Sequence, residues 1–99
     1  MARSLAIVGN RILIVDDKPE VRESMCDYMA LAGFVAESAS SAEDALELLK
    51  HTDVDIVITD IVLPGLGGLD LTRQVKKAHR ADVIVMTGYS DNFSYEGAI

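Results

Sequence analysis

Four short apolar runs, separated by loops and amphipathic stretches, constrain the fold of this chain more than any other feature. They are Ile12 to Val15, the weaker Phe34 to Ala39, Ile56 to Ile58, and Val83 to Met86. Runs of this length alternating with helical patterns mark βα units and a parallel sheet. Ile12 to Val15 and Ile56 to Ile58 do not alternate with polar residues, so each is expected to be buried on both faces. In the second strand Glu37 is expected to face water. Pro19 opens the first helix, with Val21, Met25, Met29 and Ala32 as its inward stripe and Gly33 as its stop. Ser41, followed three residues later by Asp44, has the spacing of a capping box before the stripe Ala42, Ala45, Leu46 and Leu49. Pro64-Gly65 fits a tight turn. Leu69 to about Lys77 reads as a third helix, with Leu71, Thr72 and Val75 inward, and Ser90 begins a fourth. Right-handed crossovers between such units give an α/β fold: an open, doubly wound parallel sheet with helices on both faces.

Composition narrows the function. The 99 residues allow one domain, with residues 1–10 as an extension before it. Sixteen acidic against nine basic residues leave a net charge of -7, which argues against nucleic-acid binding by this segment. A single cysteine, Cys26, excludes an internal disulfide framework and a cysteine-rich zinc site. The apolar runs are far shorter than the roughly 20 residues needed to span a bilayer, so no membrane segment is expected. The opening Met1 to Val8 have one charge but too short an apolar stretch for a secretory signal. The expected compartment is the cytoplasm.

In open parallel sheets ligands bind beyond the carboxyl ends of the strands. The first strand ends in Asp16-Asp17, the third in Asp60 and the fourth in Thr87. Three carboxylates and a hydroxyl therefore converge on one crevice. Two unit charges about 4 Å apart repel by ~4 kcal/mol at an effective dielectric of 20, so the trio needs a cation. An all-oxygen donor set without His or Cys suits a hard ion: Mg²⁺ first, with Mn²⁺ or Ca²⁺ behind it. Each residue taken alone has another explanation. Asp17 could cap the first helix, Asp16 could be a solvated loop acid, Asp60 a turn residue, and Thr87 a β-branched strand end. Their coincidence at one sheet edge favours the site.

The motifs Ile12-Leu13-Ile14-Val15-Asp16-Asp17, Ile58-Thr59-Asp60-Ile61-Val62-Leu63-Pro64-Gly65-Leu66-Gly67-Gly68 and Val85-Met86-Thr87-Gly88-Tyr89-Ser90 resemble those of receiver domains of two-component response regulators. The resemblance runs over about residues 11 to 99. It implies a flavodoxin-like sheet of order 2-1-3-4, with a fifth strand beyond position four. It implies that Asp60 accepts a phosphoryl group from a sensor histidine kinase or phosphotransfer domain. By the same resemblance, Asp17 holds Mg²⁺ directly, Asp16 through water, and the Val62 carbonyl is a further ligand. Thr87 would hydrogen-bond the phosphoryl group. A C-terminal output domain outside this chain and a homodimer are further implied partners.

Two departures accompany the match. The family carries a lysine at the end of a fifth strand and an aromatic residue on that strand, and the sequence stops at Ile99 before either. The expectation is therefore a domain cut before its fifth strand and last helix, leaving Val83, Ile84 and Val85 on an open edge. Lys76 and Lys77 lie on the third helix and do not replace that lysine. Gly67 stands where a capping residue is usual, so the third helix is expected to start loosely. Two other functions compete: a pseudo-receiver that binds partners without phosphorylation, and a Mg²⁺-dependent phosphohydrolase with an aspartyl-phosphate intermediate. The latter needs a general acid and a substrate cap, and the sequence offers neither. Asp53-Val54-Asp55 precedes its strand, where such hydrolases carry D-x-D after one. Gly65-Leu66-Gly67-Gly68 lacks the third glycine of a dinucleotide fingerprint. Met25, Cys26, Met29, His51 and His79 read as structural.

Overall fold

β-branched and aliphatic residues set the sheet. The computed structural model describes residues 10–86. Four strands, β1 (Arg11–Val15), β2 (Val35–Ala39), β3 (Ile56–Asp60) and β4 (Asp82–Met86), alternate with three helices, α1 (Pro19–Leu31), α2 (Ala42–Leu49) and α3 (Gly68–Ala78). All neighbouring strands run parallel, in the order β2-β1-β3-β4, as the flavodoxin-like reading requires. β1 is interior, with Ile12 opposite Ala36 on one side and Ile56 on the other. Thr87 and the expected fourth helix lie outside the described residues.

Alternation along the strands divides the core between two faces. Leu13, Val15 and Val57 point to the side covered by α2 and α3, where Ala42, Ala45, Leu49, Leu71 and Val75 close over them. Ile12, Ile14 and Ile58 point to the opposite side, against Met25, Cys26 and Met29 of α1. The first of these layers is much the larger. α1 correspondingly has no fully buried residue: Val21, Met25 and Met29 are half-buried, and Ala32, expected in the stripe, is exposed. Ala32 caps the helix rather than continuing it, so its side chain has left the inward face. Gly33, at φ +99°, then reverses the chain. The amides of Gly33 and Phe34 reach back to the carbonyls of Ala30 and Met29, forming a Schellman motif.

Two helix starts differ from expectation. At α2 the Ser41 hydroxyl accepts the Asp44 amide at 3.0 Å, but the Asp44 carboxylate takes the Ser40 hydroxyl, so only half of the capping box forms. At α3 the helix begins one residue early, at Gly68, and is not loose. Gly67 lends no side chain, yet the Gly68 amide donates to the Ile61 carbonyl at 3.1 Å and the Leu71 amide to Gly67 at 2.9 Å. Gly68 is also a steric necessity. A Cβ there would lie 2.1 Å from the Asp60 carbonyl oxygen.

Among the described residues β4 is an edge strand, as expected, and Ile84 is half exposed on it. No helix among them is long and apolar enough to cross a membrane.

Candidate metal centre

The in-phase parallel pairing of β1 with β3 decides where the acids meet. Val15 lies opposite Thr59, so Asp16, just past β1, and Asp60, the last residue of β3, come to stand side by side at the carboxyl edge of the sheet. Asp16 still belongs to the ladder, since its amide donates to the Ala39 carbonyl at 3.2 Å. It is 4 % exposed, and its Oδ1 accepts the Lys18 amide at 2.9 Å. Asp60 is 9 % exposed; its Oδ1 accepts the Val62 amide at 3.3 Å, and its carbonyl accepts the Thr59 hydroxyl. Asp17 is the open member, turned to water with the Lys18 ammonium 3.5 Å away.

One carboxylate oxygen from each of Asp16, Asp17 and Asp60 lies within 4.8 Å of the others. Burying acids costs free energy unless they are paired or bind a metal. The hydrogen bonds to Asp16 and Asp60 engage Oδ1 of each, and Oδ2 of each has no hydrogen bond among the described residues. Three hard oxygen donors with one open side fit a small divalent cation that keeps several waters. The simpler explanations weaken on the same geometry. The cap of α1 is Lys18, without any side-chain bond, so Asp17 does not cap it. Asp16 is not solvated. Asp60 does bond its own turn, but through one oxygen only.

Comparison with known proteins decides the family. The model of the response regulator receiver domain matches residues 12–99. The chain belongs to that family. The receiver is 36% identical over 81 residues to a cyclic di-GMP phosphodiesterase of Thermotoga maritima, a stretch covering 81% of this chain and 22% of that protein. It spans between about a fifth and a third of the length of the curated relatives it matches. Among solved structures it is similar to the response regulator TrrA of Thermotoga maritima in complex with Mg²⁺ and BeF, with TM-score 0.76, 35% identity, and coverage of 82% of this chain and 71% of that one. A complex of the histidine kinase ThkA with TrrA matches with TM-score 0.75 and 35% identity over 86% of this chain and 74% of that one.

Around the trio the receiver places two cations that sequence reasoning did not single out. The carboxylates of Asp17 and then Asp16 hold the Lys18 ammonium above its ordinary pKa. Arg22, one turn into α1, donates from Nη1 to the Asp16 carbonyl at 2.9 Å. A basic residue directly after an Asp pair, with another four positions on, was the available signal. The expected ligand Val62 has an exposed side chain and its amide on Asp60, which puts its backbone beside the trio. Thr87 lies outside the described residues. Cys26 is half-buried, and burial pushes its thiol up. His51 faces Glu47 at 3.6 Å on the surface of α2's end, far from a ligand role.

Proposed function

We propose that this receiver is a phosphorylation-activated switch in which Asp60 takes a phosphoryl group from a histidine kinase in a Mg²⁺-dependent reaction. One observation carries the proposal: the approach of Asp16, Asp17 and Asp60 to within 4.8 Å, oxygen to oxygen, at the carboxyl edge of the sheet. The relative bound to a histidine kinase and the one holding Mg²⁺ and BeF support it.

In the transfer, an Asp60 carboxylate oxygen forms a bond to phosphorus as the bond from phosphorus to the donor's imidazole nitrogen breaks. The imidazole leaves with the electron pair and takes up a proton. Asp60 keeps one oxygen on the Val62 amide, and this leaves the other oriented for attack. Asp16 and Asp17 would hold the metal, with the Val62 carbonyl as a further ligand. Mg²⁺, when bound, offsets the charge between the acids and the incoming phosphoryl oxygens. Thr87 would receive a phosphoryl oxygen after transfer, and the resulting change of surface would pass to an output domain. Mn²⁺ would serve in place of Mg²⁺, the donors being the same.

Acetyl phosphate with Mg²⁺ should add one phosphoryl unit to the mass of the protein, and Asp60→Asn should abolish the addition while leaving the fold intact. Labelling of Asp60→Asn at the wild-type rate would overturn the assignment. Continuous turnover of acetyl phosphate without a long-lived adduct would favour a hydrolase instead.

A further inference from the structure

We propose that Glu43, on the first turn of α2, is a positioning residue for the metal centre, holding the loop between β3 and α3 in the shape that keeps Val62 beside Asp60. The inference rests on the metal-centre reading above.

The loop, residues 61–67, is fixed at its neck and at its tip by different means. At the neck, the Val62 amide bonds Asp60 Oδ1, and the Gly68 amide bonds the Ile61 carbonyl. Beyond it, Leu63 is buried in the larger core layer and Leu66 packs against that layer. These apolar contacts hold the loop down but do not orient its peptides. Orientation comes from Glu43. Its Oε2 accepts the Leu66 amide at 3.1 Å, the one side-chain hydrogen bond to residues 63–66 among the described residues.

The carboxylate also lies close against the turn. Gly65 sits at φ +73°, and a Cβ on it would come within 2.9 Å of Glu43 Oε2. The left-handed turn and the carboxylate thus fit each other, and the second half of the loop is clamped to a helix 23 residues earlier in the chain. Without the clamp the Gly65-Leu66 peptide is free to rotate, and the loop visits shapes in which the Val62 backbone moves away from Asp60. A ligand that binds only the competent shape then loses affinity in proportion to that shape's population.

The test uses the receiver with Glu43→Ala and Glu43→Gln, titrated with Mg²⁺ by calorimetry, with amide exchange of Leu66 followed by NMR. Glu43→Ala should bind Mg²⁺ about three- to fivefold more weakly and exchange the Leu66 amide faster, as expected for loss of one exposed charge-assisted hydrogen bond. Glu43→Gln keeps a carbonyl acceptor and should stay within about twofold of wild type, a rescue that follows from the hydrogen bond. If Glu43→Ala fails to fold, Glu43→Asp takes its place, since it keeps the charge and is too short to reach Leu66; it should weaken Mg²⁺ binding equally. Wild-type affinity in Glu43→Ala or Glu43→Asp overturns the proposal. So does a Glu43→Gln as weak as Glu43→Ala, because charge alone would then be responsible. A wild type that binds no Mg²⁺ refutes the metal centre instead, and unchanged Leu66 exchange in Glu43→Ala refutes the clamp on its own.

Discussion

Replacing Gly68 by alanine tests how tightly the start of α3 is set against the strand that carries Asp60. The added Cβ would stand 2.1 Å from the Asp60 carbonyl oxygen, 2.9 Å from Ile61 Cα and 3.0 Å from the Asp60 carbonyl carbon. All three obstacles are backbone, so no side chain can swing aside. Ordinary contact begins near 3.4 Å, and the start of α3 must retreat by about 1.3 Å. Overpacking of this kind costs about 1–3 kcal/mol. The same retreat breaks the 3.1 Å bond from the Gly68 amide to Ile61, for about 1 kcal/mol more. Alanine recovers at most about 1 kcal/mol through helix propensity. The net loss is about 1–3 kcal/mol, a shift in Tm of roughly 4–24 °C for a domain of this size. Urea or thermal unfolding against wild type measures it, and Gly67→Ala, whose Cβ meets nothing nearer than 3.9 Å, is the steric control. A Gly68→Ala protein within about 0.5 kcal/mol of wild type would show that the approach of α3 to β3 is slack, and the account of this position would fall.

Other expectations follow from single features. Gly67→Ser supplies the cap that α3 lacks and should stabilise by a few tenths of a kcal/mol in the same unfolding assay. Asp17→Ala should weaken Mg²⁺ binding more than Asp16→Ala, since Asp16 is already occupied by the Lys18 amide; equal affinities by calorimetry would contradict this division. Burial raises the Cys26 thiol, so its alkylation rate should keep climbing with pH beyond the point where an exposed cysteine levels off.

Much of this was legible from residue order alone. The doubly buried runs at β1 and β3 have no amphipathic face, and that alone places them inside the sheet. The acids directly after those runs followed, because strand ends share one edge. What escaped was tertiary. The hydrogen bond from Leu66 to Glu43 joins residues with no periodic relation, and no local pattern marks Glu43 among its acidic neighbours. The inward stripe of α1 was overstated for a related reason. Periodicity reports which face of a helix is apolar, not how much of the opposing sheet it meets. Gly67 misled in the other direction, because backbone bonds to Ile61 and Gly67 did what an absent side chain was expected to do.

The interior position of β1 has a consequence for synthesis. Of the four described strands it is the first to leave the ribosome, yet one of its two partners is β3, which pairs with it from about 44 residues further on. At about 5–20 residues per second, Ile12 to Val15 wait several seconds for that partner, with one edge open and both faces apolar. Nascent chains arrested before Asp60 should therefore need chaperones, and those arrested well after β4 should not. Long-range parallel pairing also slows folding relative to a helical domain of equal size. The placement that brings the three acids together thus also makes the emerging chain prone to aggregation until β3 is complete.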